Sequence, residues 1–208
     1  LYLLAINFCI RRMNEAQPGF ARQTLDLYQS ALEKKLLLER GRLSRFSFAN
    51  IVGTAIRCGE TGWATDFVEK NAEFLDKKDL EPAVALARAR LDFSQKKYGG
   101  ALAQLQSADF KDLLNSLIAK TLQLKIFYEM DEWDALDAHI RTLQTFLQRH
   151  PSLGYHREHS GQLIGSVKKL MSLPPGDRSG REKLRAEIAL LPTAAERDWL
   201  LEKVADLG

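Results

Sequence analysis

Apolar residues recur at helical spacing along almost the whole chain. No stretch sustains strand alternation between two turn signals. Breaks come at short, regular intervals. Gln17-Pro18-Gly19 ends the first helix, and Gly41 ends a helix predicted over 20–38. Gly59-Glu60-Thr61-Gly62, Lys77-Lys78-Asp79, Tyr98-Gly99-Gly100, Ala108-Asp109 and Met130-Asp131-Glu132 follow as turns. Asp79 is read as an N-cap with Pro82 in the first turn after it. His150-Pro151 closes the next helix, and Pro174-Pro175-Gly176 is the strongest break in the chain. Thr193-Ala194-Ala195-Glu196 has capping-box spacing and is expected to start the last helix. The pattern predicts about eleven helices of roughly 14 residues each, an ordinary length.

Paired helices with short turns direct attention to internal repeats. Ala89, Phe93, Tyr98, Ala101 and Ala108 form one set: small residues where two helices approach, aromatics at the turn between them. Phe48, Ile51, Ala55, Gly59, Ala64 and Val68 form a second set, and Leu124, Phe127, Tyr128, Trp133, Ala135 and Ile140 a third. Leu27 to Leu32 matches the end of a second helix in an earlier pair. On these residues, residues 1–151 resemble degenerate tetratricopeptide (TPR) repeats, of the kind found in bacterial proteins. That resemblance implies a right-handed superhelix of about four antiparallel helix pairs, with a concave face made by the first helix of each pair. Amphipathic hairpins that bury their apolar faces only against one another lead independently to stacking. Residues 152–208 match no repeat and are expected to be capping helices at about 156–172, 178–190 and 193–206. In the last of these, Leu200, Leu201, Val204 and Leu207 would face inward, and Glu202, Lys203 and Asp206 outward.

Composition adds few constraints. Of 208 residues, 45% are hydrophobic and 27% charged, the ordinary globular mixture. A net charge of +3 is too small to imply a nucleic-acid binder from bulk charge. Cys9 and Cys58 lie in apolar helical patterns and read as free thiols, so a reducing, cytoplasmic setting is the expectation. No apolar run reaches the ~20 residues needed to span a bilayer. The apolar stretch Leu1 to Ile10 has no basic segment before it, as a signal peptide would, and the chain starts without methionine. A C-terminal part of a longer array is expected, with an upstream helix covering the first one.

Candidate chemistry is sparse. His156 and His159 share a helix side but have no third ligand at a useful spacing, and exposed polar residues at a helix start explain them. Asp131, Glu132, Asp134 and Asp137 fall where negative charge complements a helix dipole. No phosphate-binding, dinucleotide or nucleophile-elbow motif is present. The expectation is therefore no enzyme, no metal and no cofactor. Lys34, Lys35, Arg40, Arg42 and Arg45 form a basic cluster opposed only by Glu39, read as a solvated helix end or as a contact for RNA or an acidic protein.

The resemblance places Asn50, Arg57, Arg90, Lys125 and Tyr128 on the concave face, three of them cations from successive helices. This strip loosely resembles the TPR grooves that clamp peptide carboxylates. The function expected is a non-catalytic scaffold binding a peptide or partner protein, or packing on its own upstream repeats. The alternative is an RNA-binding array, because Leu25 to Val68 also resembles a pentatricopeptide repeat; too few uniform repeats and a modest basic surface argue against it.

Overall fold

The four carbonyls at the end of each helix must find donors, and in much of this protein they find them in one recurring way. A computed structural model describes residues 2–15, 17–191 and 194–207. Among them the elements are α1 (Tyr2–Asn14), α2 (Phe20–Glu33), β1 (Leu38–Glu39), β2 (Arg42–Leu43), α3 (Arg45–Arg57), α4 (Thr61–Asn71), α5 (Lys77–Ser94), α6 (Tyr98–Gln106), α7 (Leu113–Glu129), α8 (Trp133–Arg149), α9 (Tyr155–Ser172), α10 (Arg178–Ala189) and α11 (Ala194–Asp206). The fold is all-helical apart from one two-stranded ribbon. Single 3₁₀ turns at Ala72–Phe74 and Pro151–Leu153 follow α4 and α8. No helix among the described residues is long and apolar enough to cross a membrane.

Helices α3, α5 and α7 end identically. Gly59, Lys96 and Asp131 turn left-handed, with φ of 76°, 60° and 54°. Their amides and those of the next residues bond back into the last turn, as in Glu60 N to Ala55 O (2.9 Å), Lys97 N to Asp92 O (2.8 Å) and Glu132 N to Phe127 O (3.0 Å). The following helix starts at once, and the amides of Ala64, Ala101 and Leu136 make its first bonds to carbonyls four residues back, those of Glu60, Lys97 and Glu132. These three residues are the true equivalents, and all are 0% exposed. The third small residue of the sequence pattern, Ala135, is thus displaced by one position. It is only half-buried, and Leu136 fills the place that alanine fills in the other two pairs. An aromatic pair spans two of the turns: Phe93 with Tyr98 and Tyr128 with Trp133, each at 5.6 Å between ring centroids.

The chain divides into two compact units. The first is Leu1–Ile10 with Pro18–His139; the second is Arg11–Gln17 with Ile140–Gly208. The expected boundary at 151/152 falls inside the second unit. In the first, α3 packs on α2, α4 and α5, and α5 in turn packs on α4, α6 and α7. Neighbours on several sides explain why α5 buries Ala85, Leu86, Ala87, Ala89 and Leu91, which point around most of its circumference. Alanines on this helix allow close approach. The core around Phe48, Ile51, Val52 and Ala55 continues through Ala64, Phe67 and Val68 of α4 to Ala87 and Leu91.

In the second unit α9, α10 and α11 pack on one another. They bury Leu163, Ile164, Val167 and Leu170 with Leu184, Ile188, Trp199, Leu200 and Val204. Lys203, expected outside, is 8% exposed, and Leu207, expected inside, is exposed. Lys203 sits one turn from Trp199 and Leu200, so its methylene stem is covered while its ammonium reaches Glu202 (3.2 Å) and Asp206 (2.9 Å). The expected capping box at Thr193 lies outside the described residues.

Three further details differ from the sequence pattern. Helix α2 stops at Glu33 rather than 38: Lys35 turns left-handed and Leu36 N bonds back to Ala31 O (2.8 Å). Helix α5 starts at Lys77 with Asp76 as N-cap, which places Asp79 inside the first turn and Pro82 within the helix. Trp133, which the repeat pattern sets at a packed turn, is 45% exposed and meets Tyr128 edge-on.

Phe48 is fully buried against Phe67, with centroids 5.2 Å apart. Phe48→Ala is expected to cost about 3–5 kcal/mol of unfolding free energy, through lost transfer energy and a cavity at the junction of α3 and α4. Urea denaturation followed by circular dichroism measures it.

Candidate functional site

The ribbon missed by the sequence pattern builds one wall of an open groove in the first unit. Leu38 pairs with Leu43 and Glu39 with Arg42. Arg40 and Gly41 form the two-residue turn, both left-handed at 52° and 77°. This is the turn whose twist suits a tight hairpin, and it usually takes asparagine or glycine in its first place. Leu37 and Leu43 are buried and anchor the ribbon below. The Arg42 guanidinium donates to the carbonyls of Glu73 (3.2 Å) and Leu75 (3.1 Å), tying the ribbon to the segment before α5. The wall is thus held rigid by contacts far apart in sequence.

The opening is a solvent-open groove of about 1520 Å³. It runs along the ends where α3, α5 and α7 begin, and Leu3 of α1 also borders it. Leu3 (57% exposed), Leu36 (48%) and Phe46 (56%) supply half-exposed apolar side chains. Single exposed apolar residues are ordinary; three in one concave place are the informative observation.

Arg45 organises the floor. It is the first residue of α3, where a cation opposes the helix dipole. Two carboxylates offset that cost: Arg45 Nη1 donates to Asp79 Oδ1 of α5 (3.4 Å) and Nη2 to Asp112 Oδ2 before α7 (3.3 Å). Asp112 is also the N-cap of α7 and accepts from the amide of Asn115 (3.0 Å). Partial burial pushes the Asp112 carboxyl up, but the Asn115 amide and the Arg45 charge outweigh it and hold the group below its ordinary value. The guanidinium of Arg45 also lies over the Phe46 ring, 4.9 Å from its centre.

None of the residues expected on a concave strip lines this groove. Phe46, Asn50, Gly53 and Arg57 share one face of α3, but Arg57, Arg90 and Lys125 are roughly 12–15 Å along their helices from the nearest groove residues, Ser47, Pro82 and Asn115. Counting from the common turn, Arg90 and Lys125 occupy equivalent positions, and their counterpart in α3 is Gly53. Arg57 corresponds instead to Ser94 and Glu129, so the three cations do not form one repeating row. The Lys125 ammonium sits over the Phe93 ring at 5.3 Å, and Tyr128 packs on Trp133. Asn50 hydrogen-bonds Tyr28, whose hydroxyl is pushed up to about 12 by burial despite that bond.

The basic cluster is partly committed within the molecule. Arg45 has its two carboxylates, Arg42 its carbonyls, and Lys34 donates to the Tyr2 hydroxyl (2.6 Å). Among histidines, His139 Nε2 donates to the Lys120 carbonyl (2.8 Å) and burial lowers its pKa. His156 lies tilted against the Tyr155 ring and His159 meets it edge-on, and burial, with the nearby His159, lowers the pKa of His156. Among the described residues no three histidine, cysteine, aspartate or glutamate side chains gather as a metal site. Asp131, Glu132, Asp134 and Asp137 are exposed around the start of α8.

Neither a protein-family model, nor a curated protein, nor a solved structure matches the chain.

The groove itself has no clear signature in sequence. The cluster from Lys34 to Arg45 marked the segment, but its Arg-Gly turn is a weaker hairpin signal than Asn-Gly. Its partners Asp79 and Asp112 are 34 and 67 residues away from Arg45.

Arg45→Gln is expected to lower stability by roughly 1 kcal/mol near neutral pH, as a partly exposed ion-pair network lost at one end. The Asp112 pKa is depressed by folding, so its contribution is present above the unfolded carboxylate pKa and is lost as pH falls through the folded value. The gap in melting temperature between the native protein and Arg45→Gln should narrow in acid. Thermal melts across a pH series measure this.

Proposed function

We propose that this protein is a non-catalytic interaction scaffold that binds a peptide or partner protein on the side formed by α1, α3, α5 and α7. The observation that carries the reading is the open groove bordered by half-exposed Leu3, Leu36 and Phe46. Small-molecule sites are usually smaller and more enclosed, about 300–1,000 Å³, whereas an open groove of this size suits a chain segment. Apolar anchors in a concave surface are the usual energetic centre of a peptide or protein contact.

The successive hairpins with their common left-handed turn support the tetratricopeptide-like reading, since a repeated unit of this kind presents one helix of each pair along a continuous face. Our reading moves the contact from the strip of Arg57, Arg90, Lys125 and Tyr128 to the ends where the same helices begin. RNA binding is less well supported, because three of the five cations that suggested it already serve internal contacts.

Selection of peptides from a displayed random library against the purified chain tests the reading. Enriched peptides should bind in solution, and Leu36→Asp with Phe46→Asp should weaken them about tenfold or more while the circular dichroism spectrum stays unchanged. A library that yields no peptide binding in solution would remove the scaffold reading.

A further inference from the structure

We infer that the recess between α8 and α9 receives one base of a single-stranded nucleic acid, with the phosphates on either side of that base held by Arg157 and Lys168. The site lies in the second unit and does not rest on the peptide groove of the first. Gln144, Leu147 and Gln148 line the recess from α8, and Arg157, Gly161 and Ile164 from α9. Its volume is about 210 Å³, and it is open to solvent. Whole small-molecule ligands usually occupy about 300–1,000 Å³, so this space suits one planar group of a longer molecule.

Charge around the recess has one sign. No carboxylate lines it. Residues 140–172 contain Arg141, Arg149, Arg157, Lys168 and Lys169 against Glu158 alone. Lys169 is tied to Glu187 of α10. Among the described residues neither Arg157 nor Lys168 pairs with a carboxylate, and Lys168 donates instead to Oε1 of Gln144 (3.3 Å). Arg157, Gly161, Ile164 and Lys168 follow one another at three or four residues and so share one side of α9. The two cations therefore flank the recess, about 16 Å apart along the helix axis.

Gly161 keeps the space between them open. It stands inside a helix of 18 residues, where glycine is less favourable than alanine. A Cβ at this position would meet nothing within 4 Å, so no neighbour in the fold requires its absence.

The lining decides what enters. Leu147 and Ile164 are buried and give the recess an apolar floor. Gln144 is half-buried and Gln148 exposed, and each amide offers donors and an acceptor. An apolar side chain from a partner protein would cover these amides without bonding them, which costs binding energy. A base meets both demands: its face lies on apolar surface and its edge bonds an amide, as adenine does with glutamine. Within a strand every base has a phosphate on each side, and here a cation stands on each side. A mononucleotide would use only one of the two. In a duplex the base edges are already paired, so the single strand is the form that fits.

The test uses the intact 208-residue chain with fluorescein-labelled RNA and DNA strands of about twelve nucleotides, read by fluorescence anisotropy. A strand of the same length and charge that lacks bases separates the recess from the cations. At least one of the two complete strands should bind about tenfold tighter than the abasic strand, and rising salt should weaken all binding. Gly161→Met fills the recess with a better helix former. It should bring the complete strand down to the affinity of the abasic one, leave the abasic strand unchanged and keep the melting temperature at or above that of the native chain. Arg157→Gln with Lys168→Gln should weaken complete and abasic strands alike, by about tenfold, with the circular dichroism spectrum unchanged.

No binding of either complete strand would overturn the proposal. So would equal affinity for complete and abasic strands, or a folded Gly161→Met variant that binds as tightly as the native chain. A duplex or a mononucleotide that binds as tightly as the single strand would overturn the choice of form. A glutamate-rich peptide that binds with the same sensitivity to these substitutions, where the nucleic acids do not bind, would replace the strand by an acidic protein.

Discussion

The first unit depends on one constraint: each helix pair has apolar residues on more sides than its partner helix can cover. A pair such as α5 and α6 buries the contact between its own helices and then still exposes apolar surface in two directions. Stacking on α3 and α4 on one side and on α7 on the other removes that surface from water. The tight turns at Gly59, Lys96 and Asp131 make such stacking regular, because each begins the next helix at the same phase. Two of these positions are not glycine. Their left-handed backbone costs something, and the two bonds back into the preceding turn together with the aromatic pair above offset it.

Regular stacking has a second consequence at the opposite ends of the same helices. Because α3, α5 and α7 all begin beside the ribbon, their first turns lie together along one edge. Three partly positive helix ends in one place would repel, and the local acids answer that: Asp76, Asp79 and Asp112 all sit there. Arg45 then joins Asp79 and Asp112 into a single network across the starts of α3, α5 and α7. The groove is the space left above this network.

The ribbon shows how a loop becomes a functional surface. Eleven residues between α2 and α3 are more than a tight connection needs. They bury Leu37 and Leu43, close on a two-residue turn, and spend Arg42 on distant carbonyls. What remains outward is Leu36, Glu39 and Arg40, displayed on a support tied to the segment before α5. Binding surfaces commonly arise this way, as loops made rigid by the scaffold beneath them.

The all-helical class, the number of helices and most of their breaks were legible in the sequence, because periodicity and turn residues act locally. The aromatics at the turns and the buried alanines Ala64, Ala101 and Ala89 could also be read there, since packing demands are strong at those points. The shift from Ala135 to Leu136 could not, because a one-residue slip leaves helical periodicity almost unchanged and only the hydrogen bonds of the turn define the phase. The burial of Lys203 was hidden for a related reason: a long stem can be covered while its charge stays paired, so residue type alone misplaces it. The geometry of the candidate site belonged to tertiary structure. Lys34 to Arg45 announced positive charge, but whether each cation faced solvent or an internal partner depended on Glu73, Leu75, Asp79 and Asp112, residues that only the folded chain brings near. Local periodicity determined that this protein would be built of helices; the long-range pairing of charge decided which of its surfaces were left open.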